Sequence, residues 1–142
     1  MRSRFFTPSL VILAYLALAA TAHALTPLEA SMKRMSSAYR ALTFDLQQPS
    51  DAHKDTYLSL AGILKTEAQT SRGLVPKKAG ALPADQQAAM VKGYQKGIDD
   101  LIQSIDSLTQ AIQGSQWGNA RQTMAAIKQK MMAGHKDFRA ED

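Results

Sequence analysis

The chain has 142 residues, 45% hydrophobic and 20% charged, with no cysteine and a formal net charge of +5. The missing cysteines exclude disulfides, thiolate metal sites and a cysteine nucleophile. The basic residues form no dense run and are not interleaved with aromatics, so the usual footprint of a nucleic-acid surface is absent.

The first 24 residues read as a signal peptide outside the fold. Arg2 and Arg4 give a basic start, Leu10 to Ala22 is an almost unbroken apolar run, and Ala22-His23-Ala24 has the small-x-small pattern of a cleavage site. The run falls short of the roughly 20 residues of a membrane span, which leaves a retained anchor as the competing reading. Cleavage before Leu25 gives one domain, 25–142, in which 15 Lys and Arg face 12 Asp and Glu. That charge suits ordinary solubility, with at most weak steering of an acidic partner.

Four helices follow. Thr26-Pro27-Leu28-Glu29 is a capping box with proline at the first helical position. Leu28, Met32, Met35, Tyr39, Leu42 and Leu46 then recur at spacings of three and four, one apolar stripe that ends at Pro49. Ser50 is the expected cap of a second helix, with Tyr57, Leu60, Ala61, Leu64 and Ala68 on one face; Arg72-Gly73-Leu74-Val75-Pro76 breaks it, and a loop is expected through Lys77, Gly80 and Pro83. The third helix is expected from Ala84 to Gln113, with Met90, Tyr94, Ile98, Leu101, Ile105, Leu108 and Ile112 on one side and Gly114-Ser115 as its stop. The fourth carries Trp117, Ala120, Met124, Ile127, Met131 and Phe138 inward. No segment alternates with period two, so the predicted fold is all-α. Short connections between the first two and the last two helices make neighbours antiparallel, giving an up-down-up-down four-helix bundle.

Few side chains offer chemistry. The domain has two histidines: His53 in a polar first turn, read as a solvated side chain, and His135, four residues after Met131 and bordering the apolar stripe. His135 on its own fits a hydrogen-bonded histidine at the core edge as well as it fits a ligand. Met32 lies near the start of the first helix and His135 near the end of the fourth, ends that an antiparallel bundle sets side by side. A thioether and an imidazole at one level are an axial pair for haem iron, although methionines at helical spacing are commonly core packing. Met35, one turn deeper, competes with Met32. No nucleophile elbow, phosphate loop or E-x-x-H di-iron pattern is present, so an enzyme is not expected.

The segments around these two residues resemble the cytochrome b562 family. Leu28-Glu29-Ala30-Ser31-Met32 is similar to the family's opening Leu-Glu-x-x-Met. The stretch from Ile127-Lys128 to His135-Lys136-Asp137-Phe138-Arg139 is similar to its closing segment, and Tyr94-Gln95-Lys96-Gly97-Ile98-Asp99 to part of its third helix. The resemblance implies a periplasmic electron-transfer bundle with one non-covalent haem b, Met32 and His135 as axial ligands, and Tyr94 and Ile98 lining the haem cleft. Without cysteine, covalent attachment of haem is ruled out. Two positions depart from the family: Gly134 stands where an aromatic precedes the histidine, and Met131 where the family has arginine. Ile98 also replaces an aromatic wall.

Two rival functions have no haem. The domain's six methionines suit a cuprous copper binder, and apolar grooves suit a helical chaperone or interaction module. Besides haem, the expected partner is a redox protein that the sequence does not name. A monomer or weak dimer is expected, the dimer through Leu58 and Ile63 as exposed residues of the second helix.

Overall fold

The computed structural model of the protein describes residues 24–139. The expected signal peptide therefore lies, except for Ala24, outside the described residues.

Helix α1 spans Pro27–Asp45, and the capping box at its start is complete. The Thr26 amide donates to Glu29 Oε2 at 2.7 Å, and the Glu29 amide donates to Thr26 Oγ1 at 3.2 Å. Ser50 caps a single 3₁₀ turn, Asp51–His53, through a 3.2 Å bond from the Ala52 amide; α2, Lys54–Arg72, starts only after that turn. The segment expected as loop contains a one-turn helix, α3, Lys77–Gly80, whose Ala79 is fully buried. A proline at 76, with its fixed φ, leads naturally into such a turn.

Helix α4 spans Ala84–Gln113 and α5 spans Trp117–Phe138. The turn between them is a Schellman motif. The Gln116 amide donates to Ala111 O at 2.8 Å and the Ser115 amide to Ile112 O at 3.0 Å. Its left-handed residue is Ser115, with φ 54°, rather than Gly114.

The four long helices pack in chain sequence, α1 on α2, α2 on α4 and α4 on α5, and no strand occurs among the described residues. The fold is thus the all-α, up-down-up-down bundle expected from the stripes. Its core is Met35, Leu42, Leu46, Tyr57, Leu64, Tyr94, Ile98, Leu101, Ile105, Leu108, Ile112, Met124 and Ile127, with alanines where helices approach closely. Leu58, expected to be exposed, is half-buried against this core, whereas Ile63 is indeed exposed.

The two ends of the bundle differ. Where α1 ends and α5 starts, the bundle is shut: Tyr57 meets Trp117 edge-on at 5.8 Å, and the Ser50 amide donates to the Tyr57 hydroxyl. On the same side, Arg121 Nη1 donates to Leu46 O at 3.5 Å, and the Tyr39 hydroxyl donates to Met124 O at 3.3 Å. These two bonds tie α1 to α5. Beyond them, toward the start of α1 and the end of α5, the interior opens into a cavity.

Candidate functional site

That cavity measures about 970 Å³. Its walls are Leu28, Met32 and Met35 from α1, Tyr94, Ile98 and Leu101 from α4, and Met131, His135 and Phe138 from α5; Leu74 and Val75 line it from the segment after α2. All four residues singled out from the sequence, Met32, His135, Tyr94 and Ile98, therefore border one space.

Helix geometry explains why the thioether and the imidazole share it. Tyr39 reaches α5, and Met32 precedes it by seven residues, so the two lie within ~20° of each other around α1. On α5, His135 follows Met124 by eleven residues, which again returns to the same face. Counted outward from the Arg121–Leu46 bond, Met32 stands fourteen residues back along α1 and His135 fourteen residues on along α5. Counted from the Tyr39–Met124 bond the distances are seven and eleven residues, so antiparallel packing sets the two within about one turn of each other at the open end. Met32 is half-buried, Met35 is only 1% exposed, and His135 is exposed.

The α4 wall is firm. Tyr94 is buried, and burial pushes its phenol up to about 12, so it stays protonated and donates to Ser71 O at 2.8 Å. Its ring meets Phe138 edge-on at 5.4 Å. Phe138 lies over Gly93 and Gly97, where a built Cβ would come 3.9 Å from the ring. His53, read as solvated, is exposed at the shut end and lines no part of this cavity.

A polar cluster that the sequence reading missed backs the α1 wall. Ser31 and Ser71 are both fully buried. Ser31 Oγ lies 2.9 Å from Glu67 O, 2.8 Å from Glu67 Oε2 and 3.0 Å from Ser71 Oγ. Arg34 grips the same carboxylate with two donors, at 2.7 and 2.9 Å, and holds the Glu67 carboxyl below the usual range. The available signal was positional: Ser31 falls four residues before Met35 and seven before Ala38, on the apolar stripe, where a hydroxyl needs a partner.

The rim of the cavity is basic. Lys33, Lys77, Lys96, Lys130 and Arg139 line it against Glu29, Asp100 and Asp137. Lys77 pairs with Glu29 and Lys96 with Asp100, while Lys33 and Lys130 are in no ion pair among the described residues.

The family model for cytochrome b562 matches residues 27–139. The chain belongs to the cytochrome b562 family. The match takes in every helix described above, so the haem-binding, electron-transfer character of cytochrome b562 proteins attaches to the whole bundle. No curated protein and no solved structure matches the chain.

The residues present fit the cytochrome b562 cofactor. Ligand clefts commonly measure about 300–1,000 Å³ with mostly apolar linings and a few placed polar groups, and this one combines those features with two iron-binding side-chain types on facing walls. Of the departures seen in the sequence, Ile98 sits on the α4 wall and the other two on the α5 wall. Gly134 leaves open space where a side chain would project, and Met131 adds a thioether instead of a cation.

Proposed function

We propose that this chain is a periplasmic b-type cytochrome, exported by residues 1–24 and working as the bundle 25–142. In this reading it holds one haem b non-covalently, with Met32 and His135 as axial ligands, and passes single electrons to and from a partner protein. The observation that carries the reading is that Met32 from α1 and His135 from α5 line one cavity, inside a chain of the cytochrome b562 family.

Each part of the wall has a task. His135 supplies the nitrogen ligand from the last turns of α5. Met32 supplies the sulfur from α1, and Met/His ligation favours a raised reduction potential. Tyr94 and Ile98 form the flat apolar side, with Tyr94 held by its bond to Ser71 O. The unpaired Lys33 and Lys130 at the rim suit the carboxylates of a haem edge. Haem, when bound, supplies a one-electron couple at iron. With both axial positions taken by side chains, the site suits an electron carrier rather than an enzyme.

Reconstitution with haemin tests this. A saturable complex of one haem per chain, giving a sharp low-spin spectrum on reduction, is the expected outcome. Absence of saturable binding would contradict it.

A further inference from the structure

Helix α1 brings two thioethers to the cavity, Met32 and Met35. Resting on the haem reading above, we propose that the Ser31–Glu67–Arg34 cluster fixes the rotation of α1 about its own axis, and so selects Met32 over Met35 as the sulfur presented to the cofactor. Ser31 and Glu67 are positioning residues in this account.

The buried residues of α1 are Ser31, Met35, Ala38 and Leu42. At ~100° per residue they fall within about 40° of the Ser31 direction, so Ser31 marks the helix face turned to α2 and the core. Met32 lies ~100° round from it, on the flank with Leu28 and Tyr39, and the Tyr39–Met124 bond shows that this flank faces α5. Bringing Met35 to the place of Met32 requires turning α1 by roughly 60° and sliding it by about 4.5 Å, three residues of rise. That turn carries the Ser31 hydroxyl away from Glu67 O, Glu67 Oε2 and Ser71 Oγ together.

The hydroxyl protons suit a directed lock. Ser31 and Ser71 have one each. Ser71 donates its proton to Glu67 O, one turn back at 2.8 Å, and Ser31 donates to the Glu67 carboxylate, a charge-assisted bond. Arg34 closes it from the same helix as Ser31, two donors deep. Glu67 is thus bonded to α1 on both sides of Met32, at positions 31 and 34. Ser71 extends the lock to the opposite wall, because Tyr94 donates to its carbonyl.

The test compares the parent chain with Ser31→Ala and Glu67→Gln, the second keeping an acceptor for Ser31 while removing the ion pair. Helical content by circular dichroism confirms that each is folded. Oxidation of the haem-free proteins by dilute peroxide, read by peptide mass spectrometry, reports which methionine faces the cavity. In the parent chain Met32 oxidises several-fold faster than Met35. In Ser31→Ala that ratio falls toward one, and in Glu67→Gln it falls part of the way. After haemin loading, the same variants lose a matching fraction of the low-spin, methionine-ligated spectrum. A folded variant that keeps the parent ratio overturns the proposal, as does a collapsed ratio with an unchanged spectrum. If the parent itself takes no haem, the haem reading fails, and the oxidation ratio alone decides whether the cluster sets the rotation.

Discussion

In the proposed site Met32 and His135 do different work, so their removal is expected to have different consequences. The His135 ring is exposed at the end of α5 and is the only imidazole lining the cavity among the described residues. His135→Ala is expected to abolish tight haem binding, measured by loss of the saturable optical titration; full retention counts against the site. Met32→Ala leaves the imidazole in place, so haem stays bound while the reduction potential falls, as redox titration would report. An unchanged reduced spectrum in that variant would sink the assignment of Met32. These two residues stand out in the sequence because a thioether and an imidazole are recognisable iron-ligand types. Ser31 and Ser71 do not, since a serine on an apolar stripe reveals its partners only after two helices have docked.

The helices themselves were largely legible, because each buries one stripe and each stripe has period 3.6. Where the reading slipped, short-range geometry was decisive. Ser50 caps a 3₁₀ turn before α2, and Lys77–Gly80 closes a single turn where a loop is expected. Leu58, expected to be exposed, packs half-buried against the core.

Two expectations belong to elements. Gly62 lies mid-α2 on an exposed face, and a Cβ built there meets nothing within 4 Å. Gly62→Ala should therefore stabilise the fold by about 0.8–1 kcal/mol through helix propensity alone, seen as a raised chemical-denaturation midpoint with an unchanged slope. At the start of α1, the Thr26 amide and then Lys77 pull the Glu29 carboxyl down from 4.5 to about 2. The unfolded carboxylate takes up its proton near 4.5, while the folded one holds out until about 2. Its contribution is complete above the upper value and is lost as pH falls through this window. Glu29→Gln is expected to flatten that part of the acid-unfolding curve; an identical acid limb in the variant would refute the link.

On the scale of the whole molecule, the bundle is shut at one end by Tyr57, Trp117 and the Arg121–Leu46 bond, and open at the other around a cavity of about 970 Å³. The family match shares the same span, 27–139, so fold and cofactor character arise from one unit. A ligand that fills the open end binds the folded chain alone and stabilises it by mass action, by about 2.7 kcal/mol at a hundredfold excess over its dissociation constant. Haemin should accordingly raise the melting temperature of the native chain and leave that of His135→Ala nearly unmoved.

In the proposed reading, this open end is a Met32/His135 haem site. Optical titration of residues 25–142 with haemin, recorded before and after reduction with dithionite, tests it most directly. One equivalent, a clear end point and a sharp low-spin reduced spectrum that is lost in His135→Ala are expected. A titration with no end point, or a spectrum indifferent to the loss of His135, would contradict it.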